Sequence, residues 1–129
     1  MRILHVVIFS FFVVVSVPVY AGSTQNDEGA VVYFEILHDL PVMPALEPAP
    51  EESYSFDKPG GRITSESAYA RDIKKERIYD YYYTVLPPLG WRPKGPLLYI
   101  RDDERLEISI DTENDFHKVQ FFVSPRENR

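Results

Sequence analysis

The chain has 129 residues, contains no cysteine and carries a formal net charge of −6 at pH 7. Without cysteine it has no disulfide framework, no thiolate metal site and no cysteine nucleophile, so its fold must depend on an apolar core. The acidic balance offers no basic surface for phosphate groups, which argues against nucleic acid or an anionic membrane as a partner.

The first residues have the pattern of a secretory signal peptide. A basic residue at position 2 precedes the apolar run Ile3–Val17, and Val19 and Ala21 provide side chains of the kind expected before a cut ahead of Gly22. The alternative is an uncleaved anchor, because the run approaches the length that spans a bilayer. We expect residues 1–21 to be removed, which leaves a periplasmic or secreted protein with no stable membrane anchor.

Residues 22–52 are predicted to form an N-terminal arm followed by a proline-rich strap. The segment Ala30–His38 contains strand-forming residues with poor alternation, which indicates either an edge strand or an extended arm. Four prolines in the following part of the chain oppose both helix and sheet. We expect an extended strap whose apolar residues Val42, Met43 and Leu46 can lie along the domain.

The segment 53–125 is predicted to form one α+β domain that begins with a β-hairpin. Polar and apolar residues alternate in Tyr54–Asp57 and again in Arg62–Ala70. Between these two segments, Pro59–Gly61 has the composition of a tight turn.

The alternation then ends, and residues Asp72 to Leu86 follow a helical period instead. Ile78 and Tyr82 fall on one side, with Leu86 beside them, as in an amphipathic helix. Asp72 is a candidate N-cap, and Pro87 should end the helix because proline restricts the residue before it and lacks an N–H donor.

Three antiparallel strands are predicted after the helix, at Leu97–Arg101, Arg105–Asp111 and His117–Ser124, before a tail at 126–129. The expected fold is therefore a β-hairpin, one amphipathic helix and a three-stranded antiparallel meander, with the helix on one sheet face. The predicted core consists of Ile78, Tyr82, Leu86, Trp91, Leu106, Ile108, Ile110 and Phe121.

Three motifs together resemble a known family: Phe-Asp-Lys-Pro-Gly-Gly-Arg-Ile at 56–63, Leu-Pro-Pro-Leu-Gly-Trp at 86–91 and Arg-Leu-Glu-Ile at 105–108. The family consists of small exported alphaproteobacterial proteins that are functionally uncharacterised. The resemblance implies a bacterial, periplasmic setting and supplies no catalytic residue. The chain departs from the family pattern at Ala45 and in the tyrosine-rich stretch Tyr79–Tyr83.

Candidate chemistry is sparse along the chain. His38 and His117 each lie close in sequence to an aspartate, a combination that suits acid–base catalysis or metal binding. Solvated histidines explain the same pattern better, because the spacing of a metal motif is missing. The acidic segments 102–104 and 111–115 are interpreted as polar turns. We therefore expect no catalytic residue, no cofactor and no bound metal.

Aromatic residues are the more informative feature. Tyrosine and tryptophan anchor protein contacts because they combine a large rigid surface with one polar group. The candidate contact residues are Tyr83, which falls off the apolar side of the helix, Phe122, which falls on the polar side of the last strand, and Tyr79.

These features predict a non-enzymatic periplasmic module that binds an envelope protein or peptide, or assists envelope assembly. Two alternatives remain open. One is a small-ligand binder with an aromatic-lined cleft between helix and sheet. The other is a histidine-dependent hydrolase or metal enzyme. The sequence leaves the oligomeric state open.

Overall fold

The computed structural model describes residues 29–127, so the predicted signal peptide lies outside the described residues. A single helix, α1 (Lys75–Val85), follows three strands and precedes four others in this range. The strands are β1 (Glu47–Pro48), β2 (Tyr54–Lys58), β3 (Gly61–Arg71), β4 (Arg92–Gly95), β5 (Leu98–Arg101), β6 (Glu104–Glu113) and β7 (Phe116–Pro125). Short 3₁₀ turns occupy Pro50–Glu52 and Pro87–Leu89.

The seven strands form one antiparallel sheet, in which six follow the order β1-β3-β7-β6-β5-β4. The seventh, β2, pairs with the first half of β3, on the same edge where β1 pairs with the second half. This confirms the α+β class. The predicted division into a hairpin and a separate three-stranded meander is wrong, because Thr64–Arg71 of β3 pairs with Phe116–Val123 of β7. That pairing joins segments far apart in the sequence, which local alternation cannot reveal.

Two of the seven strands, β1 and β4, were not predicted. Pro48 lies in β1 and Pro93 in β4, and both strands lie at a sheet edge. Proline is tolerated at an edge because a missing N–H on the outer side costs no ladder hydrogen bond. Its presence nevertheless lowers the strand signal that the sequence carries.

The hairpin turns set the register of the sheet. Asn114 and Asp115, between β6 and β7, have φ values of 48° and 61°. Two consecutive left-handed residues define the type I′ turn, which matches the twist of the strands that it joins. The turn between β2 and β3 uses Pro59 and Gly60 instead, with Gly60 at a φ of 100°.

Helix α1 begins two residues later than the predicted N-cap would place it. Asp72 is left-handed, with a φ of 55°, and its N–H donates to the Asp115 carbonyl at 3.2 Å. The N-cap is Lys74, whose side chain makes no capping hydrogen bond. The helix ends where Pro87 predicts, since Leu86 donates the last helical hydrogen bond, to Tyr82.

One sheet face carries the core and is covered by α1. The rings of Tyr82 and Phe121 meet edge to face with centroids 4.9 Å apart. Phe34, from the arm, contacts Phe121 at the same centroid distance. Among the residues predicted for the core, the structure places seven in buried positions and Ile110 in a partly buried one: the seven are Ile78, Tyr82, Leu86, Trp91, Leu106, Ile108 and Phe121.

The proline-rich strap packs onto this same face. Val42, Met43 and Leu46 are buried in the core cluster. The Tyr82 hydroxyl donates to the Pro41 carbonyl at 2.9 Å and accepts from the Met43 N–H at 3.2 Å. The strap therefore supplies both apolar contacts and hydrogen bonds to the domain.

A buried carboxylate fixes the arm that precedes the strap. Glu66, on the covered side of β3, is 1% exposed. Its Oε1 atom accepts hydrogen bonds from the N–H groups of Ile36 and Leu37, at 2.6 and 3.2 Å. These bonds satisfy donors that burial would otherwise leave without partners.

Candidate protein-binding surface

The side of the sheet opposite α1, here called the open face, carries the candidate site. Cross-strand pairing aligns Tyr54 of β2, Ser65 of β3, Phe122 of β7 and Glu107 of β6 in one row. Side chains directly opposite one another across antiparallel strands share a sheet face. Phe122 therefore lies opposite the covered face that its neighbour Phe121 helps to form.

Tyr54, Phe56 and Phe122 form an aromatic patch on this open face. Tyr54 and Phe56 are 48% and 54% exposed, and their rings stack with centroids 6.2 Å apart and planes 14° apart. Phe122 is partly buried and lies two strands away from Tyr54, on the other side of Ser65. A shallow hollow of about 240 Å³ lies between Tyr54 and Phe122, and Ser65, Glu107, Ser109 and Gln120 complete its wall.

The local sequence explains why this patch forms. The two-residue turn at Pro59 and Gly60 sets the register in which Tyr54 pairs with Ser65. Ser65 is small, so no large side chain on β3 stands between Tyr54 and Phe122. The aromatic side chains gain a rigid backing from paired strands while much of their surface stays in water.

The other end of the open face is polar and already paired. Lys118 Nζ lies 2.5 Å from Glu52 Oε2, and the Tyr69 hydroxyl donates to Glu52 Oε1 at 2.5 Å. The hydrogen bond from Lys118, followed by that from Tyr69, lowers the pKa of the Glu52 carboxyl. The Tyr69 ring stacks on Phe116 with centroids 5.3 Å apart. The charged groups at this end of the open face therefore have their partners within the protein.

The three predicted contact residues lie on two different sides of the molecule. Tyr79 and Tyr83 both belong to α1, and their rings stack on each other with centroids 5.9 Å apart. Tyr83 is 54% exposed. Tyr79 is partly buried and shares a hollow with Ile110, a residue of the covered face. Phe122 lies across the sheet from both. The structure therefore does not bring the three together into one surface.

Sequence reasoning missed Tyr54 and Phe56 as partners of Phe122. The alternation of Tyr54, Ser55 and Phe56 shows that the two aromatic residues share a side. What the sequence does not show is the β3–β7 pairing, which places Ser65 opposite Phe122.

The two candidate catalytic histidines have different surroundings. His117 is 2% exposed, and its Nε2 lies 2.5 Å from the Ile73 carbonyl, which can only accept, so Nε2 donates. Its Nδ1 lies 2.7 Å from Thr112 Oγ1. The ring thus connects the segment before α1 to the β6–β7 hairpin. His38 is exposed in the arm. Across residues 29–127, no three His, Cys, Asp or Glu side chains are grouped as metal ligands.

The aromatic residues beneath the helix are packed rather than arranged around a cleft. Trp91 is 2% exposed and lies under the Arg101 guanidinium, whose carbon is 4.2 Å from the ring centroid. Arg101 is held in turn by Asp39 of the arm, with Nη2 and Oδ2 2.6 Å apart. An apolar hollow of about 360 Å³ lies along the strap instead, with Val32, Met43, Leu46 and Tyr81 among its lining residues.

Comparison with known proteins finds no match among protein-family models, curated proteins or solved structures. The resemblance to an exported alphaproteobacterial family therefore stays a prediction. None of the helices in residues 29–127 has the length and apolarity that crossing a bilayer requires.

Proposed function

We propose that this protein is exported to the bacterial cell envelope, where it acts as a non-enzymatic module that binds another protein through the aromatic patch. The observation that carries this proposal is the stacked, exposed pair Tyr54 and Phe56 on the open face, next to the hollow that Tyr54 shares with Phe122. The predicted signal peptide at residues 1–21 supports the setting.

The physical chemistry of the patch favours a protein partner. Rigid aromatic side chains give a large contact area while losing little conformational freedom, which is why tyrosine and tryptophan dominate binding hot spots. Glu107, Ser109 and Gln120 line the hollow beside Tyr54 and Phe122 with polar groups. A polar border next to an apolar centre is typical of a protein interface. Exposed apolar clusters of this kind often mark contact sites.

In-cell photocrosslinking tests the proposal. A photoreactive phenylalanine analogue at position 122 should capture one envelope protein, identified by mass spectrometry of the adduct. The same analogue at position 83 is the control, because Tyr83 is exposed on α1, across the sheet from Phe122. Capture of nothing at position 122, or of the same proteins at both positions, would count against the aromatic patch.

A second candidate function is the binding of a small apolar ligand in the hollow along the strap. The observation that favours it is the apolar lining by residues such as Val32, Met43 and Leu46. An apolar fluorescent dye should then show saturable enhancement that Val32→Glu abolishes and Tyr83→Glu leaves unchanged. Dye fluorescence that fails to saturate would remove this candidate.

A further inference from the structure

Strand β2 has an outer edge that is open to pairing. Within residues 29–127, β2 pairs with β3 alone, and all five of its residues are exposed. Other edge segments contain proline, at Pro48 in β1, at Pro50 in the following turn and at Pro93 in β4. Natural sheets use proline to prevent edge pairing. Strand β2 contains none, so its edge lacks this protection.

The turn geometry shows which backbone groups β2 presents. The two-residue turn at Pro59 and Gly60 makes Lys58 and Gly61 a hydrogen-bonded pair. Alternation along the strand then directs the N–H and C=O groups of Ser55 and Asp57 away from β3. Close approach of Ser55 Oγ to Thr64 Oγ1, at 2.8 Å, fits the narrower spacing of a non-hydrogen-bonded pair.

We propose that a second copy of this chain occupies the edge, with β2 pairing antiparallel to the partner's β2 about a twofold axis at Phe56. In this register, Ser55 and the partner's Asp57 form a hydrogen-bonded pair, and the symmetric pair forms on the other side of the axis. The outward N–H and C=O groups of Ser55 and Asp57 thereby all gain hydrogen-bond partners. An interface that uses one patch on both subunits closes as a dimer.

Charge and side-chain chemistry favour this register. Lys58 lies opposite the partner's Tyr54, where an ammonium group can approach an aromatic face. Asp57 lies opposite the partner's Ser55, a hydroxyl that can donate to the carboxylate.

The neighbouring registers are less favourable. Moving the axis to Asp57 sets two carboxylates directly opposite each other, which is destabilising. Moving it to Ser55 requires a hydrogen-bonded pair with Ser53, whose N–H already donates to the Pro50 carbonyl at 3.0 Å. Phe56 is therefore the preferred centre.

Dimerisation goes beyond the proposed function and does not depend on it. Pairing at β2 would place Phe56 beside the partner's Phe56 and join the two aromatic patches into one continuous surface on the extended sheet. The dimer can be tested in purified protein, with no other partner present.

Cysteine crosslinking tests the register directly. The chain has no cysteine, so Phe56→Cys introduces a unique thiol. Non-hydrogen-bonded antiparallel pairs have Cα atoms about 4.5 Å apart, within the range of about 4.4 to 6.8 Å that disulfides use. Mild oxidation should convert Phe56→Cys to a covalent dimer and leave Tyr83→Cys monomeric. The two variants are matched because the Phe56 and Tyr83 side chains are equally exposed in the native protein. No dimer from Phe56→Cys, or equal crosslinking of both variants, would overturn the proposal.

Sedimentation of uncrosslinked protein provides the second measurement. The wild type and Ser55→Ala should sediment as dimers at high micromolar concentration, because alanine keeps the outward N–H. Ser55→Pro removes that donor and should sediment as a monomer with an unchanged circular dichroism spectrum. A monomeric wild type, or a Ser55→Pro variant that remains dimeric, would show that β2 is not the interface.

Discussion

The two faces of the sheet are built from the same strands but have opposite characters. Along β7, Phe121 is completely buried under α1 and the strap, whereas Phe122, the next residue, contributes to the aromatic patch. The covered face holds nearly all the large buried side chains, and the open face holds ion pairs and exposed aromatic rings. A single alternating strand therefore directs core residues to one face and partly solvated residues to the other.

The largest expected effect is a difference in stability between alanine variants of these two neighbouring residues on β7. Phe121→Ala should lower the free energy of unfolding by about 3 to 5 kcal/mol, because it leaves a cavity among packed rings. Phe122→Ala should lower it by less than about 1.5 kcal/mol, since the side chain is only partly buried. Urea unfolding of the two variants measures the difference. Similar losses for both would mean that the open face also carries the core.

A second contrast concerns two glutamates on opposite faces. Glu66→Ala should lower the free energy of unfolding by about 2 to 3 kcal/mol, because the buried N–H groups of Ile36 and Leu37 lose their acceptor. Glu107→Ala is the matched control on the open face, where surface substitutions change stability by about 0.5 kcal/mol or less.

The location of the stability loss can also be checked for Glu66→Ala. Hydrogen exchange should accelerate at Ile36 and Leu37 before it does so in β6. Uniform acceleration throughout the domain would contradict a local role for Glu66 in fixing the arm.

Periodicity in the sequence was enough to predict the helix and the strands that correspond to β2, β3, β5, β6 and β7. It also assigns Phe121 and Phe122 to opposite faces, because successive side chains along any one strand point to opposite sides of the sheet. It failed where tertiary contacts decide the conformation. Asp72 is left-handed because its N–H bonds to the Asp115 carbonyl. The pairing of β3 with β7, on which the aromatic patch depends, joins segments that are distant in sequence.

Alkaline pH should weaken the covered face through Tyr82. Burial raises the pKa of its hydroxyl above the ordinary tyrosine value of 10. The folded protein then keeps a proton that the unfolded chain loses, so stability is fully present below about pH 10 and decreases as pH rises further. Unfolding free energies measured between neutral and alkaline pH should show this decrease.

Tyr82→Phe tests the assignment of that decrease. The variant should lose about 1 to 2 kcal/mol at neutral pH, because the Met43 N–H loses its acceptor. Its alkaline decrease should be shallower than that of the wild type. Burial also raises the pKa of Tyr81 and Tyr99, so some slope should remain. An alkaline slope identical to that of the wild type would exclude Tyr82 as its source.

The smallest effect is expected at the polar end of the open face. Lys118 lowers the pKa of the exposed Glu52 carboxyl, so the stabilisation from this pair is present above the ordinary glutamate pKa and is lost as pH falls through the lowered value. In Lys118→Ala, the Glu52 pKa measured by NMR titration should rise toward its usual range, with little change in unfolding free energy because solvent and salt screen exposed pairs. A large loss of stability in this variant would mean that the open face contributes to folding much as the covered face does, and the division of roles between Phe121 and Phe122 would then not extend to the rest of the sheet.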